Sequence, residues 1–194
     1  SVRSRITLQF QYFMQESSFI HELTAISSRH SPDAIALTYG KSSLSYCALQ
    51  SSISRFANGI IDLGIQRGER VAIYLEKRFE TVIASFGAPA AGGVFVPLNP
   101  LLKPEQVGYI LRDCNVRVLV TSPERLAFLT NTLTQCHDLR HVVVLDSPEP
   151  LPTSGPISYS SWSDLLETPQ RPGHRVIDTD VAGILYTSGS TGKP

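Results

Sequence analysis

Short apolar runs rich in β-branched residues alternate with stretches of helical periodicity from residue 44 onward. No other feature of the chain narrows its fold class as much. Val71-Ala72-Ile73-Tyr74-Leu75, Val94-Phe95-Val96, Val116-Arg117-Val118-Leu119-Val120, His141-Val142-Val143-Val144-Leu145 and Val181–Tyr186 read as strands. Ahead of Val71, Ser45 is placed to cap a helix in which Leu49, Ile53, Phe56, Ile60 and Leu63 form one stripe. Gly64 suits the left-handed stop after it. Further helices are expected over 78–90, from Pro104 with Val107, Ile110 and Leu111 inward, over 123–135, and around Trp162–Leu166. The Pro/Ser-rich stretch 147–160 reads as a surface connection. Apolar strands separated by helices predict an α/β fold, a mostly parallel sheet flanked by helices on both faces.

Composition agrees with a packed domain. Of 194 residues, 42% are hydrophobic and 18% charged, which sets disorder aside. Seventeen basic residues balance seventeen acidic ones, so no nucleic-acid partner or anionic-membrane surface is expected. Cys47, Cys114 and Cys136 are odd in number and widely spaced, the pattern of reduced thiols in a cytoplasmic protein. The uncharged run from Thr81 to Leu102 has the length of a membrane span, but Gly87, Pro89, Gly92, Gly93, Pro97 and Pro100 interrupt it. It reads as a buried helix followed by a buried strand.

Residues 1–13 are expected to be an extension or vector remnant, because Met14, the only methionine, makes a natural start. Residues 14–194 are then the domain portion, and the stop at Pro194 inside a specialised loop suggests a fragment. A fragment would expose apolar area on one flank of the sheet, so homodimerisation through that face is expected.

The loop in question is Thr187-Ser188-Gly189-Ser190-Thr191-Gly192-Lys193-Pro194, directly after a strand. Ligands in parallel α/β sheets bind beyond the carboxyl ends of strands. Glycines admit backbone N–H groups to a polyanion, hydroxyls add donors, and Lys193 adds positive charge, a combination suited to phosphate oxygens. It is not a Walker A loop: Thr187 stands where that motif needs glycine, and Pro194 where it needs Ser or Thr.

With Leu44-Ser45-Tyr46-Cys47-Ala48-Leu49 and Ala91-Gly92-Gly93-Val94-Phe95-Val96-Pro97-Leu98-Asn99-Pro100 upstream, the loop resembles the signature phosphate loop of the adenylate-forming (AMP-binding) superfamily. Acyl-CoA synthetases, nonribosomal-peptide adenylation domains and luciferases make up that superfamily. The resemblance implies the N-terminal subdomain portion of that fold and a two-step ligase using ATP, Mg²⁺ and coenzyme A. A carboxylic acid substrate becomes an acyl-adenylate, and the thiol of coenzyme A then takes the acyl group. Phosphate binding carries over to Thr187, Ser188, Gly189, Ser190, Thr191, Gly192 and Lys193, and to no other residue. No catalytic residue or metal ligand is expected within the fragment. The adenine contacts, a magnesium-holding glutamate, the acyl pocket and a catalytic lysine would lie beyond Pro194, so these 194 residues alone are expected to be inactive. Pro89-Ala90 departs from the family's apolar-lysine pair and suggests a bent helix end.

Asn99, where peptide-synthetase domains usually carry aspartate, tilts the reading toward an acyl-CoA ligase. The alternatives are an amino-acid adenylation domain and a truncated module that binds phosphate or a partner without catalysis. Among other residues, His137 and His141 have metal-ligand spacing but straddle a loop and a strand. Glu76-Lys77-Arg78-Phe79-Glu80 reads more simply as a solvated helix start than as a cleft wall. Phe10, Tyr12, Phe13, Phe19 and Tyr39 read as core or contact residues rather than a stacking platform.

Overall fold

A computed structural model of the chain describes residues 19–147 and 150–187. Helix α1 (Glu22–His30) leads to an antiparallel hairpin of β1 (Ile35–Tyr39) and β2 (Ser42–Ser45). Helix α2 (Tyr46–Asp62) begins where the sequence places its cap, for Ser45 Oγ accepts from the Ala48 N–H at 3.2 Å. Leu49, Ile53, Phe56 and Ile60 are its buried stripe. Leu63 lies just past the last turn and is only partly buried. Gly64 follows at φ 87°, the left-handed stop.

Five parallel strands come next: β3 (Arg70–Tyr74), β4 (Val94–Pro97), β5 (Val116–Thr121), β6 (His141–Val144) and β7 (Ser158–Ser161). Their order in the sheet is β4-β3-β5-β6-β7. Helix α3 (Phe79–Ala90) joins β3 to β4, α4 (Pro104–Asp113) joins β4 to β5, α5 (Pro123–Leu133) joins β5 to β6, and α6 (Trp162–Leu166) follows β7. One core packs α2, α3 and α6 over Val71, Ile73, Val118, Val120 and Val143. The other packs α4 and α5 over Ala72, Val96, Leu119, Val142 and Val144. Alternate residues of each strand thus feed opposite faces, as a sheet covered on both sides requires. The expected α/β architecture is present.

The run from Thr81 to Leu102 becomes most of α3 and all of β4, and among the described residues no helix is long and apolar enough to cross a membrane. Pro89 sits inside the last turn of α3, which stays helical through it to Ala90. So late in a helix, the missing N–H costs one bond and need not break the chain's course.

Two expectations need correction. The stretch 147–160 is not wholly a surface connection, because its end forms β7, registered from His141↔Ser158 to Val144↔Ser161. Ile157 and Tyr159 pack against the α4/α5 core, and the serines need only backbone pairing. Conversely, Val181–Tyr186 is not a strand. It touches the sheet at a single parallel bridge, Phe95↔Gly183.

Candidate functional site

The approach to the glycine-rich loop is built on the edge of β4. Phe95 N–H donates to the Ala182 carbonyl, and Ile184 N–H donates to the Phe95 carbonyl, both at 3.0 Å. The ladder cannot lengthen in either direction. Gly93 N–H is already given to the Ala88 carbonyl at 2.8 Å, and Pro97 has no N–H to give. Gly183 is dictated by the same bridge: a Cβ there would stand 2.6 Å from Cε1 of Phe95.

Beyond the bridge, side chains replace backbone pairing. Ile184 and Tyr186 pack against the α4/α5 core, while Leu185 between them is 71% exposed. The Tyr186 hydroxyl donates to Oδ2 of Asp113, the last residue of α4, at 2.5 Å. Burial, and next this hydrogen bond, push the phenol's pKa far above its ordinary value. Thr187 follows, exposed. Of the expected phosphate-binding residues the structure therefore places Thr187; Ser188, Gly189, Ser190, Thr191, Gly192 and Lys193 lie outside the described residues, as do Phe10, Tyr12 and Phe13.

The strand order reverses between β3 and β5, because β4 lies on one side of β3 and the later strands on the other. Outside the carboxyl ends of strands at such a point an open α/β sheet forms its crevice. Glu76, Arg78, Phe79 and Glu80 are there, lining with Tyr39 a cavity of about 260 Å³. The simpler reading of 76–80 as a solvated helix start is thus incomplete: Arg78 and Glu80 side chains are each 22% exposed.

The charges of this cluster are paired. Arg78 Nε donates to Glu80 at 2.7 Å and its Nη2 to Asp146 at 2.8 Å. The Glu80 hydrogen bond leads in raising the guanidinium's pKa. Arg125 Nε donates to Glu76 at 3.1 Å and Nη1 to the Pro100 carbonyl at 2.7 Å, with the guanidinium 4.7 Å from the Tyr74 ring centroid. Its own backbone N–H, with smaller help from Arg125, holds the Glu76 carboxyl below the usual range. These contacts tie the loops after β3, β4 and β6 to the first turn of α5, and by themselves they offer no unpaired charge to a phosphate.

Sequence reasoning singled out neither Arg125 nor Asp113. The available signal was positional: each lies at the end of a helix or just after a strand. His141 opens β6, and burial lowers its imidazole pKa. Its Nδ1 is buried with no partner. Cys114 and Cys136 have thiol pKa values raised chiefly by burial, so neither is an activated nucleophile. Asn99 Oδ1 accepts from the Leu101 N–H at 2.9 Å, closing a turn after β4. An aspartate carboxylate can close the same turn, so the geometry here accepts either residue.

Comparison with known proteins places this geometry. A family model described as "AMP-binding enzyme" matches residues 25–194. Surfactin synthase subunit 2 of Bacillus subtilis (strain 168) is 30% identical over 183 residues, which is 93% of this chain and 4% of that protein. The PKS-NRPS hybrid synthetase ATPKS of Aspergillus niger is 33% identical over 169 residues, 86% of this chain and 8% of that protein. Among solved structures, the anthranilate CoA ligase AuaEII in complex with anthranoyl-AMP superposes with a TM-score of 0.78 at 26% identity, covering 90% of this chain and 33% of that one. The chain thus spans a third of the ligase and a small part of each synthase.

Proposed function

The chain belongs to the AMP-binding enzyme family, and from that premise we propose that the whole protein activates a carboxylic acid with ATP and passes the acyl group to the thiol of coenzyme A. The described sheet and helices correspond to the N-terminal part of the adenylate-forming fold. The observation that carries the reading is the family match running through Thr187–Lys193, a loop whose composition suits a leaving pyrophosphate.

In the first step a carboxylate oxygen bonds to the α-phosphorus of ATP, and the bond from that phosphorus to the bridging oxygen breaks. Charge gathers on the departing pyrophosphate. Backbone N–H groups of Gly189 and Gly192, the hydroxyls of Thr187, Ser188, Ser190 and Thr191, and the Lys193 ammonium are the donors assigned to it. Those hydroxyls also suit magnesium, which takes oxygen ligands and keeps several waters. When bound, it neutralises phosphate charge. In the second step a thiolate sulfur bonds to the acyl carbon and AMP leaves with the mixed-anhydride oxygen.

The readings differ in acid and acceptor. The CoA-ligase reading is supported by the superposition on a CoA ligase. An amino-acid-activating domain is the second reading, favoured by the 33% identity to a synthetase named as a PKS-NRPS hybrid. ATP–pyrophosphate exchange by the whole protein, run against panels of carboxylic and amino acids, tests adenylation. Exchange that depends on an acid and falls steeply in Lys193→Ala supports it; no exchange with any acid refutes it. Coenzyme A consumption with the accepted acid then decides between the two acceptors.

A further inference from the structure

We propose that Tyr186 and Asp113 form a brace that sets the position of the phosphate loop, so that this pair governs how tightly the whole enzyme holds the β- and γ-phosphates of ATP. The inference rests on reading Thr187–Lys193 as the phosphate site and names residues outside that loop.

Backbone pairing ends early on this segment. Two hydrogen bonds at Phe95 hold residues 182–184, and both routes to a longer ladder are closed by Gly93 and Pro97. Three residues separate Ile184 from Ser188. Something other than a sheet must hold the loop's root. Tyr186, the residue immediately before Thr187, is the side chain so placed: it is partly buried against the α4/α5 core and its hydroxyl donates to Asp113 Oδ2 at 2.5 Å.

The far end of the brace is itself clamped. Just past Asp113, Arg70 on β3 donates to the Cys114 carbonyl and, at 2.8 Å, to the Asn115 carbonyl. Asn115 Nδ2 donates in turn to Asp138 at 2.8 Å. The carboxylate of Asp113 therefore stands on a point tied to the centre of the sheet. Its location is also locally unfavourable, since an acid in the last turn of a helix opposes the helix dipole. A residue kept against its local preference is explained when a longer-range contact uses it, and Tyr186, 73 positions away, is that contact.

The test uses the whole protein and calorimetric binding of MgATP, magnesium pyrophosphate and AMP, so that no acid substrate need be known. Tyr186→Phe keeps the packed ring and removes the donor. MgATP and pyrophosphate affinity should fall about tenfold, as loss of a hydrogen bond to a charged group implies. AMP, which lacks the β- and γ-phosphates, should bind as before, and the melting temperature should change little. Asp113→Ala should copy the effect, and Asp113→Asn, whose amide oxygen still accepts from the phenol, should recover most of it. Unchanged MgATP affinity in both Tyr186→Phe and Asp113→Ala overturns the brace. So does a parallel loss of MgATP and AMP affinity with lowered melting temperature, which marks general support of the fold. If the unmutated protein binds MgATP no more tightly than AMP, the phosphate reading of the loop fails first, and the brace with it.

Discussion

Replacing Gly87 by alanine measures how closely α2 and α3 pack. A methyl group built there lies 2.5 Å from Cδ1 of Phe56 and 3.3 Å from the Ile53 backbone oxygen. Carbon atoms are best separated by about 3.5–4.0 Å, so the ring must retreat by about 1 Å. It has little room: Phe56 is 0% exposed and its ring lies 5.1 Å from that of Trp162, centroid to centroid. Overpacking of this kind costs about 1–3 kcal/mol, while alanine in place of helical glycine returns about 0.5–1 kcal/mol. Gly87→Ala should therefore destabilise the chain by about 1–2 kcal/mol. Phe56→Val removes Cδ1 and opens a hole, at a cost somewhat below the about 3–5 kcal/mol of a Phe→Ala change. In that background the new methyl meets no ring edge and fills part of the hole. Gly87→Ala should then be neutral or stabilising, a coupling of at least about 1 kcal/mol. Urea denaturation of the four variants reads this directly, provided the slopes agree. Equal cost of Gly87→Ala in both backgrounds would refute the reasoning, since the clash would then not be with Phe56.

Other perturbations follow from the same coordinates. Burial holds the His21 and His141 pKa values below the ordinary 6.5. The unfolded chain therefore binds more protons just under that pH, and melting temperature should drop as pH falls from 7 through 6.5, then level off below the folded values. His141→Gln should flatten part of that slope. The lowered carboxyls of Glu76, Asp138 and Asp180 act in a separate, more acidic window, where stability present above the carboxylate range is lost as they protonate. Ser45→Ala removes the cap of α2 and should cost about 1 kcal/mol in the same denaturation assay. Gly183→Ala drives a methyl against the Phe95 ring at 2.6 Å and should weaken MgATP binding by the whole protein more than it lowers the melting temperature.

Much of this architecture is legible in the residues, and the exceptions have a common physical cause. The stripe Leu49–Ile60 and the runs at 71–75, 116–120 and 141–145 announce themselves because burial on one or both faces leaves a period in the sequence. Ser158–Ser161 leaves none: it owes its place to backbone pairing with β6, to which serine side chains contribute little. Val181–Tyr186 errs the other way. Its apolar residues suggest a strand, but pairing depends on what the neighbouring edge offers, and β4 offers Phe95 alone. The glycine-rich loop is readable as a motif, whereas the Tyr186–Asp113 hydrogen bond just before it joins residues far apart in sequence and carries no local signature. Asn99 closes a turn after β4 through its side-chain oxygen, a role that its place in the motif does not announce.

The single-residue bridge at Phe95 has a consequence for how such a chain survives at high concentration. A parallel sheet ending in a long, regular border invites a strand from another molecule, and that is how aggregates are seeded. Here one border is closed by a segment that meets it at one position, with Gly93 already engaged and Pro97 unable to donate. The opposite border, β7, is four residues of serine and tyrosine running straight into α6. Among the described residues neither side presents the extended apolar template that fibril growth requires, so the edge chemistry that limits residues 181–186 to one bridge also leaves little border on which a second copy could template.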